Sequence, residues 1–163
     1  MTTAPRPTFR DLDASEAAEL LARNHVGRIA YSFHNLIDIE PIGYIYADGV
    51  IYMRTQPGSK LETLAHAPWV AFEVDEVRGP FDWQSVVARG TVYVLDNTGS
   101  QLSQASYRVA VQHLRTLIPH AFGDQDPTPE RTVVLQIHPD SVVGREARSA
   151  IDQSTTAHAS AEG

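Results

Sequence analysis

Apolar side chains crowd into six β-branched and aromatic runs along this chain, and elsewhere they recur at helical spacing. The runs predict strands over Gly27–Phe33, Leu36–Tyr46, Val50–Thr55, Trp69–Val77, Trp83–Leu95 and Arg131–His138. Asp13-Ala-Ser-Glu16 has the form of a capping box, with Asp13 or Ser15 as the cap. Ala17, Leu20 and Leu21 follow on one helical face as far as Arg23. A second short helix is expected over Ser59–His66. A longer one should begin between Asn97 and Ser100 and run to Leu117, with Leu102, Tyr107, Val111 and Leu114 on or near one face. Ala47-Asp48-Gly49 supplies an Asp-Gly hairpin turn, and His34-Asn35 a second turn. Pro41 removes a ladder donor inside its strand, which marks a bulge or an edge. Gly43 and Gly90 allow close approach or a bend. Pro139–Arg148 reads as irregular or a short edge piece.

Helices of crossover length do not alternate regularly with the strands, so a parallel sheet is disfavoured. The pattern predicts a mainly β fold with short helices, a six-stranded antiparallel barrel that resolves its own edges. The expected layout is an extended arm over 1–12, one domain over 13–148 and a mobile polar tail over 149–163. Alternation puts Val50, Tyr52 and Arg54 on one face of their strand and Ile51, Met53 and Thr55 on the other. Both faces carry bulky apolar groups, so one should pack the barrel and the other should be covered by a ligand or a second subunit.

Charge narrows the range of partners. The chain of 163 residues has 20 acidic and 13 basic side chains, a net charge of −7. That argues against nucleic acid, which wants a basic face. No apolar run is long enough to span a membrane, and the first ten residues lack an apolar signal core, so a cytoplasmic location is expected. There is no cysteine, hence no disulfide framework and no thiolate ligand or nucleophile. Within this acidic chain one local positive spot stands out. Arg54 and Thr55 end a strand, Gln56-Pro57-Gly58 forms a loop, and Ser59-Lys60 opens a helix. Two cations, two hydroxyls and a helix N-terminus within seven positions can hold a phosphate. The same residues also suit a solvated strand–helix junction with Ser59 as a simple cap. The spacing is neither a Walker loop nor a dinucleotide fingerprint.

Other candidates carry less. The seven histidines show no H-x-x-x-H or H-E-x-x-H spacing, which disfavours a metal site. Ser85 lacks a nucleophile elbow, and Asp38, Glu40, Asp75 and Glu76 read as solvent-facing strand carboxylates.

The stretches P-I-G-Y-I-Y, D-G-V-I-Y-M-R-T-Q-P-G-S-K-L, P-W-V-A-F-E-V-D and W-Q-S-V-V-A-R-G-T-V carry a resemblance. Over roughly Asp13–Arg145 the chain resembles the pyridoxamine 5′-phosphate oxidase-like family of FMN-binding split barrels. It is more similar to the nitroimidazole-resistance-like and flavin-nucleotide-binding branch than to the vitamin oxidase. After Arg148 it has no Trp and no Arg to match that enzyme's basic C-terminal region. The resemblance implies that Arg54, Thr55, Ser59 and Lys60 hold the FMN phosphate. It implies that the backbone of Ile39, Glu40, Pro41, Ile42 and Gly43 lies along the isoalloxazine edge. Trp83, Ser85 and Val86 would reach the flavin from the partner of a homodimer. The function expected on this basis is an FMN-dependent oxidoreductase acting on a small molecule, with no catalytic side chain assigned. The alternatives are a reductase using deazaflavin and a non-enzymatic flavin- or haem-binding protein.

Overall fold

A computed structural model describes residues 6–150. Asp13 caps the first helix, accepting from the Glu16 N–H at 2.8 Å while the Glu16 carboxylate accepts from the Asp13 N–H at 2.9 Å. This capping box starts α1 (Ala14–Arg23), whose Ala17, Leu20 and Leu21 are buried. A strand β1 (Thr8–Leu12) precedes it, formed by part of the expected arm. Then come β2 (Val26–Phe33), β3 (Leu36–Ala47), β4 (Val50–Thr55), α2 (Ser59–His66), β5 (Trp69–Gly79), β6 (Asp82–Leu95), α3 (Gln101–Leu117) and β7 (Val133–Arg148). All strand pairs are antiparallel. The order is β1-β7-β4-β3-β2-β5-β6, and β6 returns to β7 to close a ring of six strands. This is the expected six-stranded split barrel, with β1 added beside the C-terminal part of β7.

The β2–β3 and β3–β4 hairpins turn through left-handed backbone, as type I′ geometry requires: His34 and Asn35 at φ 50° and 65°, Asp48 and Gly49 at 51° and 79°. Pro41 falls in register opposite Arg28 with no bulge. It is tolerated because β3 pairs with β2 over Leu36–Gly43 and with β4 only over Tyr44–Ala47. The first two-thirds of β3 is therefore an open edge.

The stretch Pro139–Arg148, expected as irregular or a short edge piece, instead continues β7 and pairs with β6 and β1. A bulge makes room for Pro139. Arg89 pairs with Ser141 but Gly90 with Pro139, so the register shifts there. A Cβ on Gly90 would lie 2.1 Å from the His138 carbonyl oxygen, so only glycine fits.

Ile29, Tyr44, Ile51, Met53, Phe72, Val74 and Ile137 fill the barrel, and Leu20, Leu21 and Leu64 close it from the helices. The opposite face of β4 is covered from within the chain: Tyr52 packs with Ala110 and Leu114 of α3. The sequence called for a ligand or second subunit there. Leu102, expected on the packed face of α3, is exposed, and Ala110 takes part in its place.

Candidate functional site

The end of β4 sends two neighbouring side chains to different surroundings. Arg54 continues the face of Tyr52 and is only 3% exposed. Its two terminal nitrogens donate to both carboxylate oxygens of Asp126, at 2.6 and 2.5 Å. The second also donates to the carbonyl and hydroxyl oxygens of Thr128. The guanidinium lies 4.8 Å from the centre of the Phe122 ring. Asp126 in turn accepts from the backbone N–H of Phe122 at 2.7 Å and of Thr128 at 2.9 Å. These bonds, the Arg54 pair foremost and against the opposing pull of desolvation, hold the Asp126 carboxyl well below the usual carboxylate range. Among the described residues, Arg54 Nε is the one buried side-chain nitrogen or oxygen without a partner.

Thr55, buried, ends β4 opposite Val133. Gln56-Pro57-Gly58 then leads into α2. The N-cap is Gly58, which offers no side-chain cap, so Ser59 is the first helical residue and not the cap. Ser59 is exposed. Lys60 turns toward β3 and forms an ion pair with Glu40. The Glu40 carboxylate also accepts from the Tyr31 hydroxyl at 2.9 Å. Desolvation raises the Glu40 carboxyl, but hydrogen bonds from Lys60 and Tyr31 outweigh it and leave it lowered. Burial, then Glu40, pushes the Tyr31 hydroxyl up to about 12, so Tyr31 is the donor at neutral pH.

Lys60 thus brings the start of α2 against the open edge of β3. Along that edge Ile39 and Pro41 are exposed, Glu40 and Gly43 are half-buried, and Ile42 turns into the barrel. A shallow cavity of about 190 Å³ lies over β2, β5 and β6, lined by Ala30, Tyr31, Trp69 and Arg89, and reaches β3 at Ile37.

Trp83, Ser85 and Val86 are not brought to this place. Trp83 pairs with Ala147 at the start of β6, whereas Arg54 pairs with Val134, which pairs with Leu95 at the far end of β6. Trp83 touches Phe9 and lines a polar cavity of about 570 Å³ with Arg23, Arg78 and Arg148. Each of these arginines already faces a carboxylate there: Glu76, Asp82 and Glu146. Ser85 donates to Glu73 at 3.0 Å, and the Val86 side chain is fully buried in the barrel. Among the described residues no group of His, Asp or Glu is arranged to hold a metal ion.

Sequence reading missed Asp126, Thr128 and Phe122. Asp126-Pro-Thr128 has the form of a side-chain-to-backbone turn, so a local signal existed; its pairing with Arg54 across the fold did not show. Tyr31, as the partner of Glu40, was also missed.

The sequence profile of the family described as pyridoxamine 5′-phosphate oxidase matches residues 13–146. The chain belongs to this family. A FAD-binding protein from Mesorhizobium loti is 28% identical, with TM-score 0.68, over 86% of this chain and 99% of its own. The FAD binding protein from Mycobacterium smegmatis shares the fold at 23% identity and TM-score 0.61, over 84% of this chain and 99% of its own. So does a chain from Bacteroides thetaiotaomicron provisionally assigned as a 5-nitroimidazole antibiotic resistance protein, at 16% identity and TM-score 0.65, over 86% and 88%. None of the curated proteins compared matches this chain.

Proposed function

We propose that this family member binds a flavin, FMN first, and serves as an oxidoreductase on a small molecule, with the flavin held at a homodimer interface. The observation that carries the reading is the contact between Lys60 and Glu40, which sets a cation at the head of an open backbone edge. A flavin mononucleotide needs both together: donors and acceptors along one rim of its ring system, and a cation for its phosphate. The 28% identical FAD-binding relative supports the same ligand class.

The residues fit the group in part. Lys60, the Ser59 hydroxyl and the uncapped first turn of α2 suit a phosphate. The edge from Ile39 to Gly43 suits the ring. Arg54 does not fit as a ligand, since its guanidinium is spent on Asp126. When bound, the flavin would supply the electron chemistry. The chain's part would be to orient the ring, neutralise the phosphate through Lys60 and keep a neutral Tyr31 hydroxyl on Glu40. Trp83 and Ser85 lie far from Lys60 within one chain, so in this reading they would serve the partner's site. A cytoplasmic location belongs to the same proposal; among the described residues no helix is long and apolar enough to cross a membrane.

The test is the absorption spectrum of the purified protein, with chromatography of any released cofactor and light scattering for the mass. Flavin bands, released FMN and a dimer mass support the reading. Released FAD would move the ligand to the one named for the Mesorhizobium relative. Failure to bind FMN, FAD or riboflavin while taking up a deazaflavin would overturn it in favour of the deazaflavin reductase.

A further inference from the structure

We propose that Arg54 is a positioning residue for the phosphate loop: clamped on Asp126 and Thr128, it fixes where β4 ends and so where Thr55–Lys60 begins, without touching the phosphate itself. The inference rests on the flavin reading for its ligand, but the clamp is visible independently of any ligand.

Three observations carry it. First, both terminal nitrogens of Arg54 are engaged by the segment between α3 and β7, through a two-point pair with Asp126 and the two oxygens of Thr128. A fork on a carboxylate has defined geometry, so it sets angle as well as distance. Second, Asp126 is as buried as its partner, with a side chain 3% exposed. An Arg54 that swung out to a phosphate would leave this carboxylate in the interior with only two backbone donors, Phe122 and Thr128. Third, the clamped segment holds a conformation that needs holding. Phe122, whose ring packs under the guanidinium, sits at φ 63°, a left-handed backbone that a bulky side chain rarely adopts.

The consequences reach the loop through short connections. Thr128 accepts from the Arg131 N–H at 3.0 Å, and β7 starts two residues later at Val133. Val133 is the register partner of Thr55. The clamp and the strand pair therefore bracket the last two residues of β4. Gln56-Pro57-Gly58 leaves from that fixed point to deliver Ser59 and Lys60. Unfastening the clamp should let the exit drift and misplace both, whatever charge remains at position 54.

The experiment uses the full chain and two ligands differing only by the phosphate, FMN and riboflavin, each followed by fluorescence titration. Amide hydrogen exchange over residues 55–60 is measured without ligand. For Arg54→Lys and Asp126→Asn, FMN binding should weaken while riboflavin binding stays near the wild-type value, because both variants misplace Ser59 and Lys60. Exchange over 55–60 should rise about tenfold in both. Lys60→Ala should lower FMN binding alone as well, but with exchange over 55–60 left near the wild-type rate. Thr128→Val keeps the ion pair and removes one hydroxyl contact; it should raise exchange over 55–60 by about twofold to threefold, and it stands in if the other variants do not fold. The clamp is overturned if Asp126→Asn, which keeps the charge of Arg54 but breaks the two-point pair, binds FMN as tightly as the wild type. Wild-type exchange rates over 55–60 in Asp126→Asn, or in Thr128→Val where that variant stands in, overturn it equally. A wild-type chain that binds neither ligand overturns the flavin reading, and exchange alone then decides the clamp.

Discussion

Arg54 and Lys60 stand six positions apart and look alike in the sequence, yet they keep different company. Arg54 is enclosed, 4% exposed at the side chain, and locked to a carboxylate that is equally enclosed. Lys60 is 16% exposed and faces Glu40, whose side chain is 40% exposed and has water on one side. Enclosure makes the difference. A buried pair cannot be opened without stranding a charge away from water, whereas a pair at the rim exchanges its partner for solvent or a ligand anion at small cost. One cation is thus committed to structure, whereas the other sits at the rim where its partner is exchangeable.

The largest test of this contrast is deletion. Arg54→Leu should lower folding stability by about 3–5 kcal/mol, the range for removing one partner of a buried pair. Lys60→Ala should change it by under about 1 kcal/mol, as for exposed pairs. Urea denaturation of the two variants side by side reads the gap directly, and equal midpoints would erase the distinction.

Lys60→Ala should instead weaken FMN by roughly 10- to 100-fold, the worth of a charge-assisted hydrogen bond of about 1.5–3 kcal/mol. Riboflavin, lacking the phosphate, should be unaffected. Unchanged FMN affinity would remove Lys60 from the phosphate site.

Acid sharpens the comparison further. The hydrogen bonds from Arg54 lower the Asp126 carboxyl from its ordinary value of 3.8. The unfolded chain then takes up a proton at higher pH than the folded one. Stability from this pair is complete above about pH 5 and is lost as the pH falls toward the lowered folded value. Denaturation midpoints followed from pH 6 to pH 3 should fall less steeply in Asp126→Asn than in the wild type. Parallel slopes would mean the pair is not what acid breaks.

The smallest effect is expected at Glu40. It competes with any anion for Lys60, so Glu40→Gln should tighten FMN by up to about fivefold, the scale of a rim ion pair. Weaker binding in that variant would show that Glu40 orients Lys60 more than it competes for it.

Local order is legible in the sequence, and for local reasons. The capping box at Asp13, the Asp48-Gly49 turn and the strand from Val50 to Thr55 each depend on residues a few positions apart. The two apolar faces of β4 were equally legible. What covers the second face was not, because α3 returns to it from some fifty residues downstream. The extension of β7 past Pro139 was hidden in the same way. A proline ordinarily ends a strand, and only the bulge opposite Gly90 on β6 lets this one continue.

By itself, then, the order of residues settled the cores of six strands, two hairpin turns, the barrel class and the stretch where basic and hydroxyl side chains gather. The tertiary structure decided which cation of that stretch is enclosed and which stays at the rim. Asp126 lies 72 positions beyond Arg54, and Glu40 reaches Lys60 across a different pair of elements. A side chain's charge is written in its identity, but its availability depends on what the fold places against it and on how much water is left there.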